Sequence, residues 1–111
     1  MQHQLGRQYQ YFSPQRWGTK TCEIVPDADY RAGDTLQLNE VDESGQVTGA
    51  WVRVLVTHVE RKNPNIKRNH VLLSTKRIEL CLEKGAEPIL IAGEESGSTA
   101  TITRIDKATF L

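Results

Sequence analysis

The residues best placed to do chemistry lie in Trp17-Gly18-Thr19-Lys20-Thr21-Cys22-Glu23-Ile24, where a lysine and a glutamate stand three positions apart beside a glycine and a tryptophan. Lysine brings a positive charge and several donors, and glutamate brings about four acceptor sites. A neighbouring aromatic ring offers a flat face for a base. Together they suit recognition of a polar planar ligand: Lys20 would meet a phosphate or carbonyl oxygen, and Glu23 would accept from an amine or a ribose hydroxyl. On residue types alone the plainer reading comes first, a surface ion pair next to a helix-ending glycine. His3, Tyr30 and Arg31 join Trp17, Gly18, Lys20 and Glu23 as candidate ligand contacts. Tyr30 and Trp17 are the candidates to stack on a base, although Trp17 reads first as a core plug. His3 and His58 read first as structural histidines.

The elements that must position these groups follow from the hydropathy pattern. Residues 2–6 read as a short first strand. Ser13-Pro14 reads as an N-cap followed by proline at the first helical position, which predicts a single helical turn from Pro14 to Trp17, closed by Gly18. The β-branched residues of 19–25 predict a strand. Strict alternation would put Lys20 and Glu23 on opposite faces, so a shared cleft requires an irregular strand start. Ala32-Gly33-Asp34 reads as a tight turn. Thr35–Val41 alternates, with Glu40 unexpectedly on the leucine face, either past the core edge or facing a polar cleft. Asp42–Gly45 signals a hairpin turn. The long strand of residues 47–60 carries Val52, Val54, Val56 and His58 on one face, with a bulge expected at Thr48-Gly49. A polar loop, Arg61 to Asn69, leads to a strand from His70 to Leu80. Residues 86–106 read as an added C-terminal hairpin whose edges could extend the sheet or pair with a second copy in a homodimer.

The chain has 111 residues, enough for one domain spanning residues 1–111, with a core at about 2–80. Lys plus Arg and Asp plus Glu both total 14, which argues against tight, sequence-blind DNA binding by excess basic charge. The charge is unevenly placed. Residues 27–43 hold six acids and only Arg31 as a base; residues 61–77 hold six bases and no acid. Two solvated segments would look like this; so would a basic lip that steers a phosphate-bearing ligand. Cys22 and Cys81 have no metal spacing and read as reduced thiols of a cytoplasmic protein. No metal or cofactor is expected. No run approaches membrane-spanning length and the N-terminus lacks a signal-peptide core, so no membrane partner is expected.

Gly18-x-Lys20-x-x-Glu23 resembles the opening of the Gly-x-Lys-x-x-Glu-x-Arg signature of ASCH domains, which belong to the PUA-like superfamily. The run Asp29-Tyr30-Arg31-Ala32-Gly33-Asp34-Thr35-Leu36-Gln37-Leu38-Asn39-Glu40 is similar to that of a small ASCH-like family of phages and bacteria of unknown function. His3 and Leu5, Thr48-Gly49, Val56-Thr57-His58-Val59 and His70-Val71-Leu72-Leu73-Ser74 follow in that family's order. The signature's arginine falls on Val25, and Arg31, Arg16 and Arg7 are the candidates to replace it.

The resemblance implies a mainly β (α+β) fold, a PUA-like pseudo-β-barrel with one or two short helices. It also implies a cleft between helix and barrel that binds RNA or a modified nucleoside. Some ASCH proteins are amidohydrolases that deacylate modified cytidine with lysine, threonine and glutamate. A catalytic set here would be Lys20, Thr21, Glu23 and Glu40, with Glu23 standing where those enzymes have their threonine. A hydroxyl within about 3.2 Å of the Lys20 amine would mark that chemistry. A third reading is a protein-interaction module of phage or mobile-element origin.

Overall fold

The computed structural model describes residues 1–91. Within them the chain runs β1 (Gln2–Gln8), α1 (Tyr9–Trp17), β2 (Cys22–Pro26), β3 (Thr35–Val41), β4 (Val47–Glu60), β5 (His70–Cys81) and β6 (Ile89–Leu90). All strands join one sheet, ordered β1-β3-β4-β5-β2, with β6 also on β5. The sheet curls into a half-barrel, so the fold is mainly β.

The curl has local causes. The ladder between β4 and β5 shifts register at Arg53/Val54 and again at Val56/His58. Between β3 and β4 the pairing passes from Asn39↔Trp51 to Val41↔Val47, leaving extra residues on β4 around Thr48-Gly49. Such bulges bend a strand and raise its twist. The expected bulge at Thr48-Gly49 is therefore present. Gly49 sits at φ 101°, with the Lys84 backbone in the space a Cβ would fill. The second shift corrects the reading of His58. Val52, Val54 and Val56 are buried as the alternation predicts, but the bulge turns His58 outward to solvent.

The two ends of the sheet are β1, paired parallel to β3, and β2, paired antiparallel to β5. β1 passes directly into α1, which brings the chain across to β2. This helix is longer than the single turn expected from Pro14. Proline at the sixth helical position forfeits one backbone hydrogen bond. The residues before it recover that loss, because Phe12 is fully buried, with Gln15 and Arg16 on the same helix face. Phe12, rather than Trp17, is the helix's core plug; Trp17 is half-buried beneath the Arg16 guanidinium, 4.8 Å from its ring centroid.

Inside the curl, Phe12 joins Val25, Tyr30, Leu36, Leu38, Val52, Val54, Val56, Val71, Leu73 and Leu80 in one hydrophobic core. Each such side chain contributes about 1.5–3 kcal/mol by leaving water. The tight turn at Gly33 is present, with Asp34 N donating to Arg31 O at 3.0 Å. The Asp42–Gly45 hairpin is present too. Of the expected C-terminal hairpin, Ile89 and Leu90 pair with Leu80 and Glu79. The second arm, and with it the expected dimer contact, lies outside the described residues.

Candidate functional site

The site forms where the two sheet edges face each other. Along β1 the side chains alternate, so His3, Leu5 and Arg7 share the inner face. Along β2 the inner positions are Glu23 and Val25. Arg7 bridges the seam: its Nε donates to Glu23 Oε1 at 3.1 Å, and a terminal guanidinium nitrogen donates to Ile24 O at 3.5 Å. From the helix, Gln15 Nε2 donates to Glu23 Oε2 at 3.0 Å and to Cys22 O at 2.6 Å. Lys20 Nζ completes the set, 3.5 Å from Glu23 Oε2. One carboxylate, 2% exposed, thus gathers a guanidinium, an ammonium and an amide. Burial on this scale is tolerated by a carboxylate only when it is paired and hydrogen-bonded.

Lys20 reaches Glu23 because it lies outside the strand, which begins at Cys22 rather than Thr19. Gly18 adopts the left-handed conformation, φ 80°, so that Gly18 N donates to Gln15 O and Thr19 N to Pro14 O. These two bonds are the Schellman motif that closes a helix. Lys20 N also donates to Pro14 O, at 3.1 Å, which hangs the lysine from the helix end. Gly18 is constrained a second way, since a Cβ there would lie 2.9 Å from the Arg77 guanidinium. Arg77 itself is buried and donates to Arg16 O at 2.7 Å, satisfying a helix C-terminal carbonyl. It therefore belongs to the helix cap and not to a basic lip.

Arg7, Tyr11, Lys20, Cys22, Glu23 and Ile24 line a cleft of about 360 Å³ over this cluster. Tyr11 is 53% exposed there. Beneath, Gln15 Oε1 is buried with no hydrogen-bond partner.

The other expected residues divide. Tyr30 is buried, its ring 4.2 Å from that of His3, so it is closed to stacking on a ligand. Burial pushes its phenol pKa up, Arg7 opposes the rise, and Asp27 and Glu23 add to it. His3 Nε2 lies 2.9 Å from Asp34 Oδ2, which makes His3 a support of the 31–34 turn. Arg31 is 76% exposed, pairs with Asp29, and stays away from the cleft. Trp17 does not line it either. Glu40 accepts from Thr48 Oγ1 at 2.8 Å and faces a different cleft with Gln8, Tyr9 and Gln10. Thr21 is exposed, and among the described residues Lys20 makes no hydrogen bond to a Thr or Ser hydroxyl.

Of the three arginines weighed against Val25, only Arg7 binds Glu23; Val25 is fully buried in the core. Sequence reasoning missed Gln15 and Tyr11. Gln15 carried a usable signal, a polar residue three positions after Phe12 on the helix's buried face.

Fold and site together define a small, mainly β domain whose open seam is held by a carboxylate. The chain belongs to the DUF3850 family, described as a domain of unknown function, whose profile matches residues 2–75. That span contains all the seam residues. No curated protein matches the chain.

Proposed function

We propose that the chain is an ASCH-type, PUA-like domain that binds RNA or a nucleotide derivative in the seam cleft. The observation that carries this reading is the buried Glu23 carboxylate with Arg7, Lys20 and Gln15 fanned around it beside an exposed aromatic ring. A half-barrel crossed by one helix is the arrangement that resemblance implies, which supports it further.

The roles differ from those expected of the residues alone. Glu23 already accepts from Arg7 and Gln15 and pairs with the Lys20 ammonium, so it orients donors rather than serving the ligand. The free valences are the remaining N–H groups of Lys20 and Arg7, suited to phosphate or carbonyl oxygens. Gln15 Oε1, buried and off the lining of the cleft, suits a bridging water rather than the ligand itself. Tyr11 takes the stacking role first given to Trp17 and Tyr30. The hydrolase alternative needs a hydroxyl beside Lys20 and a nearby general base, and the positions of Thr21 and Glu40 lend it no support.

Calorimetric titration of nucleoside monophosphates and short RNAs into wild type and Lys20→Ala tests the reading. Lys20 is 34% exposed and Glu23 keeps Arg7 and Gln15 as partners without it, so its truncation leaves the carboxylate paired. Affinity should fall about tenfold in the variant, as for one lost charge-assisted bond. Equal affinities would remove the site.

A further inference from the structure

The loop between β4 and β5 forms a further cleft, of about 320 Å³, lined by Asp27, Arg61, Lys62, Lys67, Arg68 and His70 among others. Four cationic side chains meet a single carboxylate there, on a chain whose net charge is zero. Asp27 is committed to Arg61, at 3.2 Å from its Nε, and that hydrogen bond holds the Asp27 carboxyl below its ordinary range. Among the described residues, Lys62, Lys67 and Arg68 are exposed and have no ion-pair partner.

The loop is shaped by its own hydrogen bonds. Ile66 N donates to Asn63 O, His70 N to Lys67 O, and Asn65 N to Asn63 Oδ1. Asn63 Nδ2 is tied to Glu60, and Arg61 reaches back to Tyr30 O at 2.7 Å. Lys62 and Asn69 both hold left-handed backbone, φ 61° and 62°. Asparagine takes that region readily, but lysine does so only where the surroundings hold it there. Three uncompensated cations are thus displayed on a preorganised turn, which lowers the ordering cost of binding an anion.

β2 links this cleft to the seam. Glu23 stands near one end of the strand and Asp27 just past the other, roughly 13 Å apart at the rise of an extended chain. Asp27 N donates to Asn69 O, which fastens the loop to that end. Ile24, 52% exposed, lies between them.

We propose that the 61–70 loop is a docking site for the phosphodiester backbone of a single-stranded nucleic acid. The strand runs along β2, with one nucleotide in the seam cleft and its neighbours' phosphates on Lys62, Lys67 and Arg68. This rests on the seam reading for the first nucleotide but adds a separate, chain-length-dependent contact.

The test titrates a nucleoside monophosphate, single-stranded RNA and DNA of about eight nucleotides, and polyglutamate of similar charge. The proteins are wild type and a Lys62→Gln, Lys67→Gln, Arg68→Gln variant, whose substitutions are all on exposed side chains. The oligonucleotide should bind tighter than the monophosphate. The variant should lose about tenfold or more of that affinity, and its salt slope should be shallower by about 2, from three single-strand phosphate contacts. Its monophosphate affinity should be unchanged. RNA and DNA binding alike support a phosphodiester site; an RNA preference adds the 2′-hydroxyl as a further contact.

The inference is overturned if the oligonucleotide binds no tighter than the monophosphate, if the variant keeps its affinity and salt slope, or if polyglutamate binds equally well. Monophosphate binding that survives any of these results leaves the seam reading standing. Loop-dependent oligonucleotide binding without monophosphate binding would support the loop and remove the seam.

Discussion

Replacing Glu23 with glutamine keeps the side chain's shape and removes its charge. In the folded protein Oε1 faces Arg7 Nε, while Oε2 faces Gln15 Nε2 and Lys20 Nζ. A glutamine amide must turn its NH2 toward one of these, setting donor against donor. A hydrogen bond to a charged group contributes about 1.5–3 kcal/mol. Arg7 and Lys20 are 23% and 34% exposed, so water replaces part of what they lose and the lower figures apply. The expected cost of Glu23→Gln is therefore roughly 2–3 kcal/mol, below the full penalty of a deeply buried broken pair. For a domain near this size each kcal/mol moves Tm by about 4–8 °C, so thermal unfolding followed by circular dichroism should show a fall of roughly 10–20 °C. Arg7→Met should destabilise as well, and the double variant should cost about 1 kcal/mol less than the two single changes added together. A Tm within a few degrees of wild type, or strictly additive losses, would mean that the carboxylate does not hold the two sheet edges together.

Two further outcomes follow from the geometry. Gly33 and Gly49 both have positive φ, but a Cβ at Gly33 meets nothing within 4 Å, whereas one at Gly49 lies 2.4 Å from the Lys84 Cβ. Gly33→Ala should cost about 1–2 kcal/mol of backbone strain, and Gly49→Ala about 1–3 kcal/mol beyond that, read from urea midpoints; equal losses would contradict the close approach. Asp34 accepts from His3, the Met1 ammonium and Arg31 N–H, which together hold its carboxyl well below its ordinary value of 3.8. The unfolded carboxyl therefore protonates first, so this stabilisation is complete above about pH 5 and is lost as pH falls toward the folded value. Asp34→Asn should be less stable than wild type at neutral pH and should lose less on acidification; parallel acid limbs would refute that role.

Much of this was legible in the chain. Strand alternation in Thr35–Val41 and in Val52–Val56 reflects burial on one face of a sheet, and a period of two survives in sequence because each residue's side depends only on its neighbour. Glycine turns at Gly33 and Gly45 were legible for a similar reason, since a positive φ selects the residue locally. The required irregularity between Lys20 and Glu23 was also foreseeable, because a strand could not have put both in one cleft. Tertiary structure alone decided the rest. Pro14 argued for a one-turn helix until the burial of Phe12 outweighed one lost hydrogen bond, and His58 followed its valines until a bulge reversed it. Arg7, Arg16 and Arg31 were equivalent replacements for the arginine missing at Val25 until the curl brought β1 against β2. Partners 16 residues apart, such as Arg7 and Glu23, leave no periodic trace, because their contact depends on the order of strands between them and not on their spacing.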